Sequence, residues 1–79
     1  MDMEKITMTA QKISFAFEDL FDDKEKRAVF DALFNRYLSE IDPTGVMTHY
    51  DAIVSLGRKA PDDFNQMVKE MQEMELISD

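Results

Sequence analysis

Four segments of the chain repeat large apolar residues every three or four positions, which is the period of an amphipathic helix. The segments are 3–20, 29–41, 47–54 and 64–74. Polar and charged residues fill most of the positions between, so each segment has one face that must be buried. The pattern predicts an all-α fold: a compact bundle of about four short helices, two long and two shorter, in a single helical domain over 1–79.

Helix boundary signals separate these segments. An acid or hydroxyl residue followed three positions later by another acid is typical of a helix start, and proline favours the first helical position. We expect Asp42-Pro43 to end the second helix, because proline disfavours helical geometry at the residue before it. We expect Gly57 to end the third helix in a left-handed conformation. The expected starts are Asp22 with Glu25, Thr48 with Asp51, and Pro61.

The segment 12–17 also fits a different structure. Its side chains from Ile13 to Phe17 alternate between large apolar and small or polar, as a strand with one buried face does. A single short strand has no evident partner in this chain, and an isolated pair of strands is only marginally stable. The sequence favours a helix here and leaves a strand as the alternative.

The composition is that of an acidic globular protein. The net charge is −8, from 17 Asp and Glu against 9 Lys and Arg, and 44% of the residues are hydrophobic. The absence of cysteine excludes disulfides and thiolate metal sites. The negative charge opposes binding to a phosphate backbone. No apolar stretch approaches the roughly 20 residues that span a bilayer, and residues 1–5 lack the features of a signal peptide. We expect a cytoplasmic protein that binds neither nucleic acid nor membranes.

Side chains suited to catalysis are few. His49 is the only histidine, and no serine lies between glycines as in a nucleophile elbow. The two glycines match no phosphate-binding loop. Acid pairs such as Asp62-Asp63 fall at expected helix ends, where the helix dipole accounts for them. We therefore expect no enzymatic activity, no catalytic residue and no cofactor.

The segment 40–51, between the second and third helices, resembles the calcium-binding loop of EF-hand proteins. Glycine at the sixth place, an apolar residue at the eighth and an acid at the twelfth match that loop. The segment departs from the pattern in beginning with a glutamate, in containing Pro43 and in ending with an aspartate instead of the bidentate glutamate. The alternative to a metal loop is a proline turn between helices. The ligands that the resemblance implies are Glu40, Asp42, Thr44 and Asp51.

The fourth helix combines an apolar stripe with a concentration of acids. Residues 61–79 contain six acids against Lys69 alone, and an acidic face favours a basic partner surface. Methionine, which occurs seven times in the chain, adapts to irregular surfaces, although a methionine stripe at helical spacing belongs to a core more often than to an interface. The predicted partner-binding residues are Asp62, Asp63, Phe64, Met67, Glu70, Met71, Glu73, Met74 and Glu75.

Other apolar residues lie off the main stripes. A chain of 79 residues forms a small core, and we expect that it cannot cover all of its large apolar side chains. Exposed apolar groups mark an interface, and association with a second copy of the chain is the simplest way to bury them. We expect a homodimer. The apolar residues predicted at an interface are Met8, Phe15, Phe21, Leu76 and Ile77.

These features predict a small acidic protein-interaction module that binds a protein with a basic surface and modulates or inhibits it. Carboxylates presented in place of phosphates would compete for a surface that normally holds nucleic acid. In composition the chain resembles the short acidic proteins with which phages and mobile elements inhibit host systems, including anti-CRISPR proteins. The alternatives are a calcium-responsive, EF-hand-like helical module acting through 40–51, and a structural or assembly subunit.

Overall fold

A computed structural model describes residues 2–78 of the chain. Within this range the protein contains four α-helices and no strand, packed into a compact globule. The prediction of an all-α fold with four helices is confirmed, and residues 12–17 are helical. The homodimer stays a prediction. The helices are α1 (Met3–Asp19), α2 (Lys24–Leu38), α3 (His49–Lys59) and α4 (Pro61–Glu73).

Side-chain caps fix the starts of three of these helices. Asp2 accepts a hydrogen bond from the Glu4 amide at the start of α1. Thr48 Oγ1 accepts from the Asp51 amide at 3.1 Å, which confirms the predicted start of α3. The third capped helix is α2. The start of α4 has no side-chain cap, but Pro61 lies in its first turn, as predicted.

The predicted start of α2 is wrong by one residue. Asp23, not Asp22, has the extended backbone of a cap, and its Oδ1 accepts from the Lys26 amide at 3.1 Å. The turn that follows α1 accounts for the shift, because the Asp23 amide donates to the Leu20 carbonyl and leaves Asp22 inside that turn. The helix also ends at Leu38, before the Asp42-Pro43 pair that was expected to stop it.

The packing of α1 against α3 corrects the role predicted for Gly57. This glycine does not end α3, which continues to Lys59. It is buried against Ile6 of α1, and a Cβ atom added to it would lie 2.8 Å from Ile6 Cγ2. A hydrogen in place of a side chain therefore sets how closely α1 approaches α3.

A single cluster of buried apolar side chains joins all four helices and the segment that follows α4. The helices contribute Ile6, Ala10 and Ile13 of α1, four residues of α2, three of α3 and three of α4. No buried residue within 2–78 is charged or polar. None of the helices described here combines the length and apolar character that crossing a membrane requires.

The chain reverses direction after α4 through a Schellman motif. The Leu76 amide donates to the Met71 carbonyl at 2.8 Å, and the Glu75 amide donates to the Gln72 carbonyl at 3.1 Å. Glu75 takes the left-handed conformation of the motif, with φ of 59°, a position that usually holds glycine. The reversal turns Leu76 and Ile77 back onto the core.

Candidate interaction surfaces

The apolar stripe of α4, which was predicted to bind a partner, is buried in the core. Phe64, Met67 and Met71 are 1%, 0% and 0% exposed. Helical spacing placed them on one face, as predicted, but that face packs inward on α3 and α2. A partner could contact them only if the protein opened. Met74, in contrast, is 47% exposed just beyond the helix.

Leu76 and Ile77 are also buried, at 6% and 7% exposure, which contradicts their assignment to an exposed interface. The Schellman motif accounts for this, because a hydrophobic contact between its last residue and the helix commonly accompanies it. The segment is further held by Lys12, whose Nζ donates to the Ser78 carbonyl at 2.8 Å. Leu76 and Ile77 therefore complete the core of the chain.

The acids predicted on α4 differ in their surroundings. Asp62 and Asp63 are exposed in the first turn, and Glu73 and Glu75 are exposed at the other end. Glu70 is partly buried and already engaged, since its carboxylate accepts hydrogen bonds from Tyr37 Oη and from Arg36 Nη1, the latter at 3.4 Å. It joins α4 to α2 and is not a free acid of an open face.

The contact with Glu70 raises the pKa of the Tyr37 phenol above its ordinary value of 10.0. The hydrogen bond is the largest cause, because only the neutral phenol can donate it. Partial burial and the negative charge of Glu70 act in the same direction, while the Arg36 guanidinium opposes them. Tyr37 therefore remains a neutral donor through the physiological range of pH.

Two large exposed apolar side chains share one face of α1. Met8 and Phe15 are each 62% exposed, and both are on the side of the helix opposite Ile6, Ala10 and Ile13. They are seven residues apart, which places them two turns apart on the same side. We define the outer face of α1 as the exposed residues Glu4, Met8, Gln11, Phe15 and Glu18. Their spacings alternate between four and three.

Phe21 is 72% exposed in the turn after α1, but one side of its ring is covered. The guanidinium carbon of Arg27 lies 5.2 Å from the centre of that ring and 4.8 Å from the centre of the Phe17 ring. Phe21 is therefore partly engaged by a cation–π contact within the chain. It is a less available anchor than Met8 or Phe15.

Phe17 belongs to an aromatic cluster that closes one end of the protein. Its ring makes edge contacts with Phe30 and Phe34 of α2, with ring centres 5.6 Å and 5.5 Å apart. His49, in the first turn of α3, stacks on Phe34 with 4.6 Å between ring centres. The only histidine thus packs on aromatic rings, and no acid or hydroxyl of the described residues bonds to it in a catalytic arrangement.

The loop 40–51 is closed by its own hydrogen bonds. The Gly45 amide donates to the Asp42 carbonyl, and the two carboxylate oxygens of Asp42 accept from the Val46 and Met47 amides, each at 3.0 Å. Gly45 has φ of 68°. This is a proline turn of the kind expected as the alternative to a metal loop. Of the ligands that the EF-hand resemblance implied, Glu40, Thr44 and Asp51 are exposed, and residues 2–78 contain no group of three His, Cys, Asp or Glu placed to hold a metal ion.

The sequence did not predict the groove between α1 and α4. These helices pack mainly on α3 and make little direct contact with each other. The space between them, of about 370 Å³, has Lys5, Lys12 and Lys69 among its walls and contains no acid. We call it the lysine groove. The sequence did contain one signal for this groove. Lys5, Thr9 and Lys12 are four and three residues apart, which places two lysines on one side of α1.

Comparison with known proteins identified no relative: no protein family, no curated protein and no solved structure matches this chain. The fold is a four-helix globule whose first helix has an outer face of apolar and acidic residues.

Proposed function

We propose that this chain is a protein-interaction module that docks on a partner protein through the outer face of α1. The observation that carries the proposal is the exposure of Met8 and Phe15, each 62%, on one side of one helix. Solvent-exposed apolar side chains that share a helix face are the anchors by which a helix binds in a groove. The core residues of α1 face the opposite way, so docking would not disturb the fold.

The charges beside these anchors favour a partner with a basic surface. Glu4 and Glu18 lie on the outer face of α1, one turn from Met8 and from Phe15 respectively, and Asp19 follows. Lys5 and Lys12 also lie one turn from Met8, so the acidic character is concentrated at the Phe15 end of the face. Acids beside an apolar anchor complement a groove bordered by lysine or arginine. This keeps the partner chemistry predicted from the net charge of −8 and moves the docking surface from α4 to α1.

Modulation or inhibition of the partner follows from this mode of binding. A basic surface often binds a nucleic acid or an acidic ligand, and an acidic helix bound there would compete for the same site. No step of this proposal requires chemistry by the chain itself. A homodimer through the same face is the competing use of Met8 and Phe15, and the experiment below separates the two.

The test is affinity capture from the source cells with three tagged proteins. Replacing Met8 and Phe15 with lysine should reduce the amount of specifically captured partner by about tenfold or more, the loss typical of central interface anchors. Replacing Asp62 and Asp63 with lysine, an equal number of substitutions on exposed positions of α4, should leave capture nearly unchanged. The α1 double variant should retain the melting temperature, since exposed substitutions usually change stability by less than about 0.5 kcal/mol. The α4 double variant should melt somewhat lower but remain folded, because it places two positive charges at the positive end of the α4 dipole.

Sedimentation equilibrium of the same three proteins decides between a foreign partner and a second copy. A monomeric wild-type protein whose captured partner depends on Met8 and Phe15 supports the proposal. A dimer that dissociates in the α1 double variant, with no captured protein, would assign this face to self-association. Capture that depends on Asp62 and Asp63 instead would return the docking surface to α4.

A further inference from the structure

The lysine groove is a local reversal of the charge that dominates the rest of the molecule. Three of the chain's nine basic residues line it, from two different helices, although the net charge is −8. Lys69 is the only base in residues 61–79 and points to this side of α4. The only ion pair among residues 2–78 joins Arg36 to Glu70, so neither Lys5 nor Lys69 is neutralised by an acid of the described chain.

The floor of the groove is apolar and firmly held. Val68 is partly exposed at its base, next to the buried Phe64 and Ile77. Lys12 donates a hydrogen bond to the Ser78 carbonyl and so anchors the end of the groove where the chain folds back. Thr9, Asn65 and Gln72 add hydroxyl and amide groups that can both donate and accept hydrogen bonds.

We propose that the lysine groove binds an acidic segment of a partner protein, with one or two apolar side chains over Val68 and carboxylates directed at Lys5 and Lys69. The ammonium groups complement carboxylates, and the apolar floor matches the side chains between them. Lys5 and Lys12 are separated by about 10 Å along α1, the length of a short peptide segment. A simple anion would use the lysines and leave the apolar floor without a function.

This site adjoins the outer face of α1 but calls for a partner surface of the opposite charge. Lys5 and Lys12 line the groove toward α4, whereas Met8, one turn from each of them, and Phe15 point away from the core. The two surfaces would therefore contact different parts of one partner or two different partners. Each proposal can fail without the other.

The probe is a fluorescein-labelled peptide in which leucines alternate with pairs of glutamates, and the measurement is fluorescence anisotropy with the full chain. We expect saturable binding that a peptide with glutamine in place of glutamate does not reproduce. Replacing Lys5 and Lys69 with glutamate should weaken binding by about tenfold or more. Lys12 is left unchanged, because its hydrogen bond to Ser78 makes its replacement structurally ambiguous.

The matched control replaces Lys24 and Lys26 with glutamate, which changes the net charge equally at exposed positions of α2 away from the groove. It should weaken binding by no more than about twofold, through the general field of the protein. A variant with Met8 and Phe15 replaced by alanine, which adds no charge beside the lysine groove, should bind the peptide within about twofold of wild type, because neither side chain lines that groove. Circular dichroism melts confirm that each variant is folded.

Four outcomes overturn the proposal. Equal losses in the two lysine double variants would show unspecific attraction to net charge. Equal affinity for the glutamine peptide would show that charge complementarity has no role. Absence of binding to the glutamate peptide would show that the groove does not bind an acidic segment. Displacement of the peptide by inorganic phosphate, beyond the effect of sodium chloride at the same ionic strength, would make the groove a site for small anions instead of a docking site for a protein segment.

Discussion

Gly57 of α3 and Ile6 of α1 are in such close contact that a Cβ on the glycine would lie 2.8 Å from Ile6 Cγ2 and 3.1 Å from Ile6 Cγ1. Those atoms begin the side chain of a residue that is 2% exposed and cannot swing into solvent. The packing of α1 on α3, the most extensive helix pair in the fold, therefore depends on the missing side chain of one residue. This relationship orients α1 and, with it, both proposed surfaces.

Replacing Gly57 with alanine should destabilise the protein by about 1–2 kcal/mol. Overpacking of a core typically costs about 1–3 kcal/mol, and the better helix propensity of alanine returns up to about 1 kcal/mol of that. Urea denaturation measures the change. In a background that already carries Ile6→Ala, the same substitution should cost less, because the obstructing atoms are gone. Equal costs in the two backgrounds would show that Ile6 is not the obstacle.

Replacing Glu75 with glycine should stabilise the protein by about 0.5–1 kcal/mol. Glu75 is the only non-glycine residue within 2–78 with a positive φ, at 59°, and the left-handed conformation costs about 1–2 kcal/mol for a residue with a side chain. Part of that gain is lost to the greater freedom of glycine in the unfolded chain. The matched control is Glu73→Gly, two residues earlier at the end of α4, which should destabilise. A decrease in stability for Glu75→Gly would refute the assignment of strain.

The Schellman motif also shows where reasoning from the sequence failed. Leu76 and Ile77 follow the last helix, and no glycine marks the reversal that returns them to the core. Without that signal, Leu76 and Ile77 were predicted to be exposed apolar residues at an interface. The sequence was right about the exposure of Met8, Phe15 and Phe21, because Met8 and Phe15 fall off the apolar stripe of a long and regular helix and Phe21 lies in the turn that follows it.

Hydrophobic periodicity predicted the helices, but it did not predict which apolar faces are buried in the core. Spacing placed Phe64, Met67 and Met71 on one face of α4, but a spacing does not say whether that face meets a core or a partner. That depends on which helices are neighbours in space. The prediction for Gly57 was wrong for a related reason. The sequence alone does not distinguish a glycine that ends a helix from one that lets a second helix pack closely against it.

Removing the hydroxyl of Tyr37 should destabilise the protein at neutral pH and lose its effect at alkaline pH. Tyr37→Phe should cost about 1 kcal/mol while the phenol is neutral, the net worth of a typical hydrogen bond, and more if Glu70 is left unsatisfied. The folded pKa lies above 10.0, so this contribution is complete below pH 10.0 and disappears as the pH rises through the folded value. Denaturant unfolding of both proteins across that range measures the difference.

The pKa of Tyr37 is itself a check on its contact with Glu70. In a Tyr50→Phe background Tyr37 is the only tyrosine of the chain, so the absorbance change of tyrosinate reports it alone. Glu70→Gln should lower the pKa of Tyr37 toward 10.0, because it removes the carboxylate that accepts the bond and repels the anion. An unchanged pKa would mean that the Tyr37–Glu70 contact does not form in solution.

The loop 40–51 should depend on Asp42 and not on calcium. Replacing Asp42 with alanine removes the acceptor for two backbone amides and should destabilise the protein by about 2 kcal/mol, as loss of hydrogen bonds to a charged group does. Asp42→Asn keeps one good acceptor and should cost about half as much. Thermal melts in calcium chloride and in EDTA should coincide, because residues 2–78 bring no three acidic or histidine side chains together to hold the ion. A rise in melting temperature with calcium that Asp42→Asn and Asp51→Asn abolish would instead establish the loop as a cation site, through preferential binding to the folded state.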